Sequence, residues 1–440
     1  MNKKLSIIVP VFNSSNFIEK CMNSICKQLK KNTELILIDD CSTDNSIEVI
    51  KKYLLNFKFI KLIKLKKNLG AANARNIGIH LSEGENICFV DSDDKLISGA
   101  VSNILFNLEK NPNKDLYVLR NYITGRNKDE NYLELNTIKN LKIGAKKKSL
   151  INFIDNFNSF RPTCWNFIFK KKFLKKKSIL FNSNLKISED WPFVSKALCL
   201  SDSFTIIEKP THLYQRLQPR TLGTTTGYIW VISNLKIIYD LNNFIKKEKK
   251  KLDTKKIKFL TTIIKRANYF VFTDILICSD KDIKKISKYI KKINSIIPNL
   301  TNLGLNGLNK FYKKNEKQIF LKLKYYNLKK NKVVEKKLHN FFKEEIILFC
   351  AGRSGSIASK ILTNLDFRVS MFIDNNDNFS SSYIDGVKVN SFKYIENNFN
   401  KLKTSKIVIC DNKKQVINSI KKQVKKIGFK KNDILAFDML

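Results

Sequence analysis

Acidic residues are scarce in this 440-residue chain: 39 Asp and Glu stand against 82 Lys and Arg, leaving a formal net charge of +43. Such an imbalance favours polyanions of any kind, whether nucleic acid, anionic lipid headgroups or phosphorylated substrates, without choosing among them. The excess is mostly Lys, in a chain also rich in Asn and Ile, so base composition accounts for it as readily as a ligand does. Nine cysteines are present, an odd number with no CxxC pair, which argues against a zinc site and a disulfide framework and points to a reducing compartment. No apolar segment approaches the roughly 18 residues of a membrane span, so any membrane contact is expected to be peripheral. Apolar side chains, by contrast, are plentiful. Hydrophobic residues make up 43% of the chain and include 31 Phe, enough to build real cores and to exclude a disordered chain. At this length two or three domains are expected.

Over the first hundred residues, short β-branched runs alternate with helix-like stretches: LSIIVP, then Phe17–Gln28, ELILID, Asn45–Asn56, FIKLIKL, Ala71–Leu81 and NICFVD. The alternation predicts βαβ units around a parallel sheet covered on both faces, with ligands gathering where the strands end in loops. Three polar clusters fall at such ends: Pro10–Ser15, Asp39–Asn45 and Asp91–Asp94. Residues 101–227 read as a mixed, substrate-facing half, with a strand at LYVLR and a second acidic point in ISEDWPF. Residues 228–340 become helical and lysine-rich, as a connector or small helical domain would. From 341 the period changes again. EIILFCAGRSGSIASKIL, VSMFIDNN and KIVICDN read as strand, glycine-bearing turn, helix and further strands of a second, smaller α/β domain.

The stretch FVDSDDK sets three carboxylates within four positions, directly after an apolar run. Asp91 and Asp93, two apart in extended backbone, point the same way and can reach one hard cation, Mn2+ or Mg2+, which would neutralise a diphosphate. For an isolated pair, a solvated turn is the commoner reading, and Asp94 is expected to cap the following helix. In LIDDCSTDNS, Asp44 or Ser42 suits a helix N-cap. Adjacent Asp39 and Asp40 repel each other unless something positive or a hydrogen-bond donor sits between them, and a carboxylate there could accept the imide N–H of a uracil ring. Glu189 and Asp190, taken alone, are ordinary acids of a helix N-terminus.

In order and spacing, SIIVPVFN, LIDDCSTDNS, NLGAANARNIG, FVDSDD and ISEDWPF resemble the family 2 glycosyltransferases of GT-A fold, over roughly the first 220 residues. The resemblance implies a metal-dependent, inverting transferase that moves a sugar from a nucleotide-sugar donor, expected to be UDP-linked, to a hydroxyl of a bacterial surface-glycan acceptor. It implies that Pro10 and Val11 line the nucleoside pocket, that Asp40 binds the base, and that Asp91, Ser92 and Asp93 hold ribose, metal and diphosphate, with Asp93 and Asp91 as the metal ligands. Arg75 would lie near the diphosphate or brace the aspartates, with a helix-surface salt bridge an equal reading. Asp190 resembles the catalytic base that takes the acceptor's proton, and Glu189 would help place the acceptor. Arg216 and Arg220, in LYQRLQPRTLG, would close over the diphosphate. Trp165 and Trp191 would stack on acceptor sugar, although core packing is the commoner fate of Trp. His212 is given no role.

In the last domain CAGRSG keeps Gly352 and Gly355 of a dinucleotide fingerprint but has Cys350 in place of the first glycine, and Asp374 follows about 20 residues on, where a ribose-binding acid sits. It resembles the Rossmann-like domains attached to bacterial sugar-modifying proteins, and nucleotide binding, a second activity and an assembly role all stay open. The expected partners are a nucleotide-sugar donor, a glycan or lipid-linked oligosaccharide acceptor, and an anionic membrane met through the lysine-rich helical region, in a cytoplasmic setting. Nucleic acid is not expected, because neither zinc-finger spacing nor an RNA-binding signature accompanies the charge. The complete set Asp40, Asp91, Asp93 and Asp190 argues against a non-catalytic assembly protein.

Overall fold

A computed structural model describes residues 3–124, 131–133, 150–154, 157, 160–214, 227–275, 278, 282, 285–286, 345–350, 353–364, 367–375, 382–384, 386–411 and 414–436. The chain opens with strands β1 (Leu5–Val11), β2 (Thr33–Asp39), β3 (Ile60–Lys64) and β4 (Asn86–Phe89), alternating with helices α1 (Ile18–Cys26), α2 (Ser46–Asn56) and α3 (Ala71–Leu81). The four strands pair in parallel in the order β3-β2-β1-β4. Strands β1 and β2 are buried almost throughout, which is why LSIIVPV and TELILID read as near-continuous apolar runs and not as an alternation. Two of their buried polar side chains satisfy each other, Ser6 Oγ donating to Glu34 Oε1 at 2.6 Å. Helix α1 turns Ile18, Cys21, Met22 and Ile25 inward, the spacing of a single helical face.

Beyond β4 the sheet becomes mixed. Strands β5 (Lys95–Leu96), β6 (Leu116–Thr124), β7 (Asn131–Leu133), β8 (Phe167–Lys170) and β9 (Phe204–Tyr214) extend it to nine described strands, in the order β3-β2-β1-β4-β8-β6-β9-β5, with β7 paired to β6. Strand β8 is antiparallel to both β4 and β6, whereas β9 lies parallel to β6. The described helices of this stretch are α4 (Ala100–Lys110), α5 (Lys171–Lys176) and α6 (Asp190–Leu200), followed by α7 (Tyr228–Lys247) and α8 (Thr254–Ile275). Phe89, Phe169, Phe181 and Phe193 pack ring against ring at the centre, the last two stacked at 3.8 Å. No described helix is long and apolar enough to cross a membrane.

The chain divides into two units, residues 1–219 with 233–267 and residues 220–232 with 268–440. Residues 233–267 of the expected helical connector therefore group with the first unit. The second unit is built on β10 (Ile346–Phe349), α9 (Arg353–Asn364), β11 (Val369–Asp374), β12 (Tyr383–Ile384), β13 (Val387–Ser391), α10 (Phe392–Asn397), α11 (Phe399–Leu402), β14 (Lys406–Ile409), α12 (Lys414–Ile427) and β15 (Ile434–Ala436). Strand β10 is central, with β11 and β13 added on one side and β14 and β15 on the other, all parallel. β12 adds a short antiparallel edge.

Candidate active site

The acidic loop follows β4 directly. Val90 N–H donates to Ile8 O at 3.1 Å, and the loop then closes on itself through Asp94 N–H to Asp91 O at 3.0 Å. The turn brings carboxylate oxygens of Asp91, Asp93 and Asp94 within 4.8 Å of one another. Asp94 is buried and is followed at once by β5, while α4 starts only at Ala100 behind Gly99. The expected helix cap is thus corrected: Asp94 caps no helix and belongs to the acidic cluster. Burial, and then the charge of Asp91, push the Asp93 carboxyl up to about 6. Carboxylates forced together this way, with only oxygen ligands to offer, fit a hard divalent cation such as Mg2+ or Mn2+.

Neighbouring loops hold this turn in place. Ser92 Oγ lies 2.7 Å from Ser14 Oγ, and Ser14 N–H donates to Ser46 Oγ at 2.8 Å. Asp44 accepts from Ser15 N–H and Ser46 N–H, so it fixes the loop after β1 as well as the start of α2. Asp40 uses both carboxylate oxygens on backbone N–H groups, Leu69 at 2.6 Å and Gly70 at 2.7 Å, and thereby clamps the segment that enters α3. Asp39 accepts from Ser42 N–H at 3.3 Å, so each of the adjacent carboxylates has its own donor. Pro10 is half-buried, and Val11 turns its side chain wholly into the core and gives its carbonyl to Asp40 N–H at 2.8 Å.

Helix α3 lies hard against β1: a Cβ at Gly78 would run into Ile8 Cγ2. Three residues earlier on this helix, Arg75 is 6% exposed and spans two acids. One terminal nitrogen donates to Asp91 Oδ1 at 2.7 Å and the other to Glu189 Oε1, while the guanidinium lies 5.5 Å from the Phe181 ring centre. Its Nε is buried with no hydrogen-bond partner among the described residues. Glu189 stands at the N-cap of α6 without capping it, since its carboxylate goes to Arg75, and Asp190 is the first residue of the helix. Burial, and then the negative charge of Glu189, push the Asp190 carboxyl well above the usual carboxylate range. The buried thiol of Cys164, which no motif singles out, feels Arg75, Asp91, Asp190 and Glu189 together. These groups therefore form one cluster that joins the acidic loop to the start of α6.

Residues 6–177 match the family described as Glycosyl transferase family 2. They form a family 2 glycosyl transferase domain. The chain is 32% identical over 209 residues to the teichoic acid poly(glycerol phosphate) polymerase of Staphylococcus epidermidis, covering 46% of this chain and 27% of that protein. It is 33% identical over 211 residues to the poly(ribitol-phosphate) beta-N-acetylglucosaminyltransferase TarP of Staphylococcus aureus, covering 46% of this chain and 60% of that one. The chain thus spans less than two thirds of the length of either relative. Among solved structures, S. aureus TarS 1-349 in complex with UDP-GlcNAc aligns at 21% identity with a TM-score of 0.45, over 61% of this chain and 84% of that one.

Around the cluster of the transferase domain, both tryptophans are buried. Trp165 stacks on Tyr214 at 5.0 Å between ring centres, and Trp191 lies 5.4 Å from the guanidinium of Arg266. Arg266, on α8, also donates to the carbonyls of Phe160 and Phe157, contacts between distant segments that no local motif announces. His212 is buried behind the acidic loop, with Nδ1 at 3.0 Å from Thr211 Oγ1 and Nε2 at 3.2 Å from Phe89 O, and burial lowers it to about 4. It stays neutral and braces the strand that leads to Asp91. Arg216 and Arg220 lie outside the described residues, as does Gly352. In the second unit Cys350 follows β10 with φ +84°, and a Cβ at Gly355 would collide with the Cys350 carbonyl. Asp374 is buried at the end of β11.

Proposed function

We propose that this chain transfers a sugar, with inversion, from a UDP-linked donor to a hydroxyl of a bacterial cell-surface glycan. The observation that carries the reading is the Arg75 bridge, because one buried guanidinium ties an acidic loop suited to a metal-bound diphosphate to the carboxylate pair that would serve the acceptor. Asp91, Asp93 and Asp94 would hold Mn2+ or Mg2+ through carboxylate oxygens, and a cation held there would supply charge to neutralise a diphosphate. Asp190 takes the proton of the acceptor hydroxyl as its oxygen attacks the anomeric carbon, a task that suits a carboxylate whose proton affinity is raised by burial and by Glu189. Glu189, held by Arg75, lies beside Asp190, and its negative charge adds to that rise.

Two relatives named for polymers of glycerol phosphate and ribitol phosphate support an anionic surface polymer as acceptor, and a chain of net charge +43 suits one. The test is a nucleotide-release screen of UDP- and GDP-sugars with the full chain, with and without Mn2+, and with Asp190→Asn as control. UDP-sugar turnover is expected only with metal, and the substitution is expected to lower kcat by about 10²–10⁴. Turnover of no donor, or full transfer by Asp190→Asn, would overturn the proposal.

A further inference from the structure

The second unit carries a concentration of charge that the transfer reaction does not use. Between Lys393 and Lys431 the sequence has 12 Lys, no Arg, and only two acids, Glu396 and Asp411. Helix α12 turns Ile417, Ile420 and Val424 into the core and Lys422, Lys425 and Lys426 outward, with Lys430 exposed just past its end. Lys393 on α10 and Lys401 on α11 are exposed as well. A groove of about 580 Å³ runs between these helices, lined by Phe392, Glu396 and Phe399 from one side and Gln423, Lys426 and Ile427 from the other, so one of the segment's two acids sits in it. Next to Lys393, Tyr394 leaves 40% of its surface in water. In the lysine-rich helical region expected to meet a membrane, the run Lys246–Lys251 includes one acid, Glu248, which pairs with Lys251 at 2.6 Å.

We propose that this face, made by α10, α11 and α12, docks the protein on an anionic lipid bilayer. Lysines present compact point charges to a diffuse layer of headgroups, whereas arginine, the fork that recognises individual phosphates and bases, is missing from the segment. An exposed tyrosine beside the lysines suits the headgroup level, where amphipathic rings concentrate. The inference goes beyond sugar transfer and rests on that reading only for its benefit, which is to hold the enzyme where a lipid-linked acceptor is found.

The test is sedimentation of the full chain with vesicles of phosphatidylcholine alone and of phosphatidylcholine with 30% phosphatidylglycerol as the probes (~30%, a leaflet rich in anionic lipid), read without donor or acceptor. One variant carries Lys422→Gln, Lys425→Gln, Lys426→Gln and Lys430→Gln; a second carries Lys249→Gln, Lys250→Gln and Lys251→Gln. The wild type should bind the anionic vesicles, lose binding as salt rises, and ignore the neutral ones. Each lysine near the surface contributes about fivefold in partitioning, so the first variant should bind at least about tenfold more weakly and the second should match the wild type. Equal binding by the wild type and the first variant would overturn the proposal. So would loss confined to the second variant, or a wild type that binds an RNA or DNA duplex but no vesicle. Because turnover with a soluble donor is measured separately, a failure here leaves the transferase reading standing.

Discussion

Arg75→Met is the sharpest perturbation of the site. The side chain keeps its apolar stem and loses the guanidinium, so Glu189, with 10% of its side chain exposed, and Asp91, with 29%, lose their counter-charge at once. Removing one partner of a buried pair costs about 3–5 kcal/mol, because the other charge stays buried and uncompensated. The Glu189 bond carries most of this loss, since Asp91 can be screened by solvent. At about 2–4 °C per kcal/mol for a unit of this size, the melting temperature should fall by roughly 10 °C. Donor turnover should collapse with it. Arg75→Lys retains the charge but cannot span both acids with a planar fork, so it should recover stability in part and activity hardly at all. Adding Glu189→Gln to Arg75→Met removes the orphaned charge and should restore melting temperature without restoring transfer. Calorimetry and initial rates on the four proteins check this. If Arg75→Met melts like wild type, or if Glu189→Gln brings back no stability, the bridge does not hold the site together.

Other outcomes follow from the same geometry. Asp40→Asn places an amide nitrogen where a carboxylate oxygen accepts a backbone N–H, so one clamp on Leu69 or Gly70 is lost; a cost of about 1–3 kcal/mol and a raised donor KM are expected, read by thermal melting and saturation kinetics. Asp190 must be ionised to act as a base, and its carboxyl is raised by burial and by Glu189, so kcat/KM should climb with pH through that raised value. Glu189→Gln should move the climb to lower pH, and an unmoved profile would show that Asp190 does not sense its neighbour. Gly355→Ala drives a methyl into the Cys350 carbonyl, whose own N–H is fixed to Ile373 O at 2.8 Å, so the second unit should lose about 1–3 kcal/mol or more and become more sensitive to limited proteolysis.

The first hundred residues were legible because parallel strands buried on both faces leave continuous apolar runs, and the ends of those runs fix where polar side chains emerge. The mixed part of the sheet was not. β6 pairs with β9, which lies far along the chain, Leu116 opposite Phe204, and no local periodicity encodes such a register. The same distance hid the role of Arg75. Its partners lie 16 and 114 residues away, so from the sequence a surface salt bridge was an equal reading, and burial at 6% is what separates them. Asp94 looked like a cap because acids commonly open helices, but five residues, the first two of them strand β5, intervene before α4. Trp165 and Trp191 went the way most tryptophans go, into packing.

Five acids, Asp91, Asp93, Asp94, Glu189 and Asp190, share this neighbourhood with Arg75, in a chain that is otherwise overwhelmingly basic. The two scales of charge do different things. Over distances up to the Debye length, about 8–10 Å beyond the surface at ordinary salt, the lysine excess attracts an anionic donor or acceptor. Within the site the sign reverses, and a diphosphate brought close meets carboxylates that repel it. A divalent cation removes that conflict, whereas a second arginine in the loop would pair with the aspartates and fill the position permanently. On the proposed reading the acids after β4 serve an exchangeable cation, which, unlike a fixed basic side chain, would let one place hold a diphosphate firmly and still release it.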